Sequence, residues 1–115
     1  MKFSTLIAIL PDELEERAIK TARDTGAGGV TILNGRGIGR EAKKSFFGLT
    51  YEGSQSVLIF VLERKLSVAV MKALTRDLGL KEHSKGVVFT LPLEHIAGID
   101  TQQIHKFEQL LEDEL

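Results

Sequence analysis

The chain has no cysteine, so disulfides, thiol nucleophiles and thiolate-held metals are excluded. Its three histidines, His83, His95 and His105, lack the close spacing of a ligand pair, and no protein-only metal site is expected. Proline occurs twice, at Pro11 and Pro92, each time at the end of an apolar run that it would terminate. Neither sign of charge dominates. A net charge of -1 argues against a protein that works by neutralising nucleic-acid phosphates. No apolar run approaches the roughly 20 residues that a bilayer-spanning helix needs. The N-terminus has no basic region followed by a long apolar stretch and a small-residue cleavage site, which predicts no signal peptide and a cytoplasmic location. Repeats and low-complexity tracts are absent. No serine–histidine–acid or paired-carboxylate pattern stands out, so regulation by docking is expected here and not catalysis.

What the sequence does have is a glycine-punctuated stretch, Gly26-Ala27-Gly28-Gly29-Val30-Thr31-Ile32-Leu33-Asn34-Gly35-Arg36-Gly37-Ile38-Gly39. Gly26 lets the chain leave a preceding helix. Val30 to Leu33 is an apolar run of strand length. Gly35, Gly37 and Gly39 then leave backbone N–H groups bare beside Arg36 and Arg40, an arrangement that can receive an anion. Residues 41–55 are polar and weakly patterned, which predicts a long mobile loop.

Around this stretch the apolar periods place the remaining elements. Lys2 to Leu10 reads as a strand apolar on both faces. Pro11-Asp12-Glu13 opens a helix that runs to about Thr25, with Leu14, Ala18, Ile19 and Ala22 inward and a Glu16–Lys20 pair on its surface. A second strand spans about 29–34, and a third, again apolar on both faces, spans 56–63. Leu66, Val70, Ala73, Leu74 and Leu78 mark the buried side of a second helix. A charged loop over 81–86 leads to a fourth strand over 87–91. Ile104, Phe107, Leu111 and Leu115 have the spacing of a C-terminal helix over 101–115.

The order β-α-β-β-α-β predicts a single α+β domain over 1–115, a ferredoxin-like sandwich with an antiparallel sheet and both helices on one face. Two helices cover one sheet face only, yet two strands are apolar on both. At ~25 cal/mol per Å² of apolar area, a wet sheet face would forfeit several kcal/mol. A symmetric oligomer packed sheet to sheet is therefore expected.

An RNA-recognition module has the same element order, but it needs aromatic-rich strands and a basic sheet face. The third strand offers only Phe60, and no nucleic-acid partner is expected.

Four runs in order resemble the PII signal-transduction superfamily, the nitrogen regulatory proteins. Gly29-Val30-Thr31-Ile32 followed by Arg36-Gly37-Ile38-Gly39-Arg40 is similar to that family's second strand and G-F-G-R turn. Phe46-Phe47-Gly48-Leu49-Thr50-Tyr51 is similar to the Y-R-G-A-E-Y run of its large T-loop. Ser84-Lys85-Gly86-Val87-Val88-Phe89 lies where the family has G-D-G-K-I-F in its B-loop, and Phe89-Thr90-Leu91-Pro92-Leu93-Glu94 resembles F-V-L-P-V-E.

The resemblance implies a homotrimer that binds an adenine nucleotide (ATP, ADP or AMP) between subunits. Thr31, Gly37, Ile38, Gly39 and Arg40 of one chain would meet Lys85 and Gly86 of its neighbour. The 41–55 segment would dock on a membrane transporter or metabolic enzyme through Phe46, Phe47 and Tyr51, without membrane insertion. The sequence departs from the family pattern at several of these places. Val87 stands where the family has a phosphate lysine, Glu41 where it has a glutamine, and Gly98 and Asp100 where it has two phosphate-contacting arginines. Losing two cations and gaining a carboxylate favours AMP or ADP over ATP, because each charge-assisted hydrogen bond is worth about 1.5–3 kcal/mol. The alternative in the same fold is a trimeric metal-tolerance protein or a small enzyme with an interface site.

Overall fold

The computed structural model describes residues 1–36, 45–46, 49–50, 54–83 and 86–99. Strand β1 spans Phe3–Pro11; a 3-10 turn, Asp12–Leu14, then leads into helix α1 at Glu15–Thr25, and β2 spans Thr31–Gly35. Two-residue strands β3 (Ser45–Phe46) and β4 (Leu49–Thr50) pair with each other. After them come β5 (Gln55–Glu63), α2 (Arg64–Asp77), a one-turn α3 (Leu80–His83) and β6 (Val87–Pro92). The four long strands form one antiparallel sheet in the order β2-β5-β1-β6. Leaving the small β3–β4 pair and α3 aside, this is the expected β-α-β-β-α-β sandwich. The two strands read as apolar on both faces, β1 and β5, hold the centre and pair from Phe3↔Glu63 to Pro11↔Gln55.

Directly opposed residues of an antiparallel pair share a face. Leu6, Ala8 and Leu10 therefore lie beside Phe60, Leu58 and Ser56, on the side that α1 and α2 cover. All six are fully buried. Ala18 and Ala22 of α1 and Leu66, Val70 and Leu74 of α2 close this core. Gly26 ends α1 with φ +129°, in the left-handed region that glycine tolerates. Glu63 starts α2: its carboxylate accepts the backbone N–H of Lys65 at 2.8 Å and of Leu66 at 3.1 Å, satisfying two donors that a helix start leaves unpaired.

The other sheet face carries Leu33, Val57, Ile59, Val61, Ile7, Ile9, Val87, Phe89 and Leu91 in register, and no described element covers it. Leu33 is 51% exposed, Val61 44% and Leu91 50%.

Several local expectations are corrected. Residues 29 and 30 precede β2 instead of belonging to it, because pairing with β5 begins at Thr31↔Ile59. The charged 81–86 stretch is partly helical, since buried Leu80 anchors a turn over Leu80–His83. The 41–55 segment holds the β3–β4 pair, and its last residue, Gln55, is a buried strand residue paired with Pro11 and Gly35. Lys20 has acids four residues away on both sides, and its ammonium sits on Asp24 at 2.7 Å instead of on Glu16. That hydrogen bond raises the Lys20 pKa. The expected C-terminal helix over 101–115 lies outside the described residues. No helix among the described residues is long and apolar enough to cross a membrane.

Candidate functional site

One end of the sheet gathers the segments that the sequence marks as functional. There β1 finishes at Pro11, β2 finishes at Gly35 and β5 begins at Gln55, all three in register. Strand β6 begins at the same end, with Val87 opposite Ile9. The glycine-rich exit and the 41–55 segment thus leave from the β2–β5 side, while Gly86 enters β6 on the far side. Strands lie about 4.8 Å apart, so three spacings put these two roots on the order of 14 Å from each other. Within one chain, Gly35 and Gly86 stand on opposite edges of one sheet end.

Thr31 is exposed on the edge strand β2, on the uncovered face and at the end of the strand remote from Gly35. Gly86 has a packing reason for being glycine. A Cβ added there would overlap Leu10 Cδ2 and stand 3.1 Å from the Ile9 carbonyl oxygen and 3.3 Å from Leu80 Cδ2. The chain can enter β6 this close to β1 only without a side chain. Gly37, Ile38, Gly39, Arg40, Lys85, Phe47 and Tyr51 lie outside the described residues. Phe46 is described only as a β3 residue paired with Leu49, which leaves Phe47-Gly48 as the two residues between β3 and β4.

The same end holds a polar group that the sequence reading missed. Ser56, fully buried, has its hydroxyl 2.8 Å from Asp12 Oδ1 and 2.8 Å from Glu15 Oε1. A hydroxyl has one proton to give, so it serves the two carboxylates alternately and ties the start of α1 to the root of β5. Next to it, Gln55 is 4% exposed and its Oε1 has no hydrogen-bond partner among the described residues. The signal available in the sequence was a serine at the mouth of an otherwise apolar strand. Among the described residues no group of three histidines or carboxylates could hold a metal ion.

A hollow of about 540 Å³ lies between α2, α3 and β6, with Lys72, Arg76, Lys81 and Glu82 around Met71 and Val88. Arg76 Nε donates to Asp77 Oδ1 at 2.9 Å, which lowers the Asp77 carboxyl pKa.

Comparison with known proteins agrees with this architecture. The chain matches the family model described as nitrogen regulatory protein P-II over residues 3–103. No curated protein sequence matches it. Among solved structures it is similar to CPII from Thiomonas intermedia K12 bound to ADP, AMP and acetate, with 18% identity and a TM-score of 0.61 over 82% of this chain and 90% of that one. The same protein, described as PII-like and bound to ADP, AMP and bicarbonate, aligns at 20% identity and a TM-score of 0.60 over 86% and 98% of the two chains. A DUF3240 family protein from Shewanella baltica OS155 aligns at 15% identity and a TM-score of 0.63 over 87% and 99%. At these identities the structural likeness concerns the fold.

Proposed function

The chain belongs to the nitrogen regulatory protein P-II family, and from that premise we propose that it is a homotrimeric signalling protein, one PII-like domain over 1–115, whose effector is an adenine nucleotide bound between subunits. The observation that carries this reading is the separation of the two site halves. The glycine-rich exit and the Gly86 turn leave one sheet end from opposite edges, about 14 Å apart on the strand spacing. Copies arranged around an axis, with their uncovered faces inward, bring the β2 edge of one beside the β6 edge of the next. Gly37, Ile38, Gly39 and Arg40 then face Lys85 and Gly86 of the neighbour, with Thr31 further along the same edge strand. Neighbours of the same fold that carry ADP and AMP support the choice of ligand.

In this reading the nucleotide acts through the 41–55 segment, which leaves the sheet beside the cleft. Its phenylalanines, Phe46 and Phe47, and Tyr51 dock on a transporter or metabolic enzyme. Three weak contacts on a symmetric target reinforce one another through effective concentration. A ligand switches docking only if it binds the two states of the segment differently, by ~1–3 kcal/mol for a useful response. The protein works as a regulator and not as an enzyme.

Calorimetric titration with ADP, AMP, ATP and cyclic AMP tests this reading. Binding of ADP or AMP more tightly than ATP is expected, since Gly98 and Asp100 supply no cation for a third phosphate. Absence of binding by all four nucleotides would remove nucleotide sensing from the account.

A further inference from the structure

The hollow between α2, α3 and β6 has a charge arrangement that the fold does not require. Lys72 and Arg76 are four residues apart on α2, neighbours on one face of the helix, and such like-charged pairs are unfavourable. Lys81, on a separate helix, adds a third cation, against the single carboxylate of Glu82. Favourable charge at a helix end accounts for Arg76, which stands in the last turn of α2. It accounts for neither Lys72, a turn earlier, nor Lys81. Among the described residues neither lysine forms an ion pair, and Arg76 is engaged only through Nε, to Asp77. Met71 and Val88, packed against the core, give the hollow an apolar floor. Its volume of about 540 Å³ is that of a small-molecule site.

The position of the hollow gives the charge a use. Lys81 and Glu82 stand just before the Lys85-Gly86 turn and Val88 just after it. The two stalks of that turn are therefore walls of the hollow. We infer that Lys72, Arg76 and Lys81 form a diphosphate-binding site on the helix side of β6. The diphosphate belongs to a nucleotide or is free pyrophosphate; in its nucleotide form the inference rests on the subunit-cleft reading above. Guanidinium and ammonium groups make short charge-assisted bonds to phosphate oxygens. The two α2 cations, otherwise repelling each other, are neutralised when the anion is in place.

The test is calorimetry on the full-length protein and on the triple variant Lys72→Gln, Arg76→Gln, Lys81→Gln, with inorganic pyrophosphate, ADP and AMP as probes. All three side chains are exposed, and circular dichroism should show the variant folded like the parent. Pyrophosphate and ADP are expected to bind the variant at least tenfold more weakly, AMP is expected to change less, and replacement by Lys72→Arg and Lys81→Arg should keep binding. Raising the salt concentration should weaken pyrophosphate binding to the parent. ADP and pyrophosphate affinities unchanged in the triple variant would overturn the inference while leaving the cleft reading standing. Pyrophosphate bound through these cations, with no nucleotide bound, would identify the free anion as the ligand and sink the cleft reading alone. No binding of either by the parent protein would overturn both.

Discussion

Gly86 and Ser56 show how single residues set the geometry of the candidate site. A methyl group at Gly86 has nowhere to go, since Leu10, Leu80 and the Ile9 carbonyl already fill its place. Gly86→Ala is expected to lower stability by about 1–3 kcal/mol, the usual cost of overfilling a packed core. Because the strain falls on the turn that leads into β6, the same substitution should also weaken ADP binding; denaturant unfolding and calorimetry read the two effects separately. An unchanged unfolding midpoint would mean that β6 can draw away from β1 at no cost. Ser56→Ala removes the hydroxyl that bridges Asp12 and Glu15, with an expected loss of roughly 1 kcal/mol. The family resemblance names Gly86 as a nucleotide-binding residue, and within its own chain the neighbours that a side chain there would meet are a leucine pair and a carbonyl. Motif spacing locates such a glycine, whereas the reason for it depends on Leu10, a residue 76 positions away.

At the scale of elements, apolar period was a good guide wherever burial was one-sided or complete. Leu66, Val70, Ala73 and Leu74 are buried on α2, and Leu78 at its C-cap, as their spacing requires, and the centre of the sheet is made of the two runs apolar throughout. Period gave no purchase on what starts and stops these elements. Glu63 caps α2 although glutamate is not among the favoured N-cap residues, and α3 hangs on one leucine in a charged stretch. Glu63→Ala should cost about 0.5–2 kcal/mol, as other lost caps do, and Glu63→Asp should recover part of it; an unfolding midpoint unaffected by the alanine would show that water replaces the carboxylate. The 41–55 segment is where pattern failed most plainly, since a two-residue strand pair is too short to show a period. In the docking reading, limited proteolysis within this segment should change when ADP is added. A protein lacking residues 43–53 should lose its partner from pull-downs while keeping the unfolding midpoint of the parent. Cleavage indifferent to ADP, with every partner retained by the deletion, would contradict docking through this segment.

The whole molecule presents one face that its own described elements leave uncovered. Leu33, Val57, Ile59, Val61, Ile7, Ile9, Phe89 and Leu91 lie side by side across four strands, and each large apolar side chain buried there contributes about 1.5–3 kcal/mol. The strand order was legible in the sequence as a chain of elements. The uncovered face was legible too, because two helices cannot cover both sides of a sheet whose central strands are apolar on both. The number of copies that meet on that face is not written in any period. Ile59 sits near its centre, paired with both Ile7 and Thr31, so Ile59→Lys would introduce a buried charge into an assembled face while sparing the helix-side core. Light scattering coupled to gel filtration tests the assembly on which the composite site depends. The parent chain should run at about 38 kDa, three times its 12.7 kDa, and Ile59→Lys should run as a folded single chain that no longer binds ADP. A parent protein that is a stable 12.7 kDa monomer would contradict both the covering of this face and the site built between subunits.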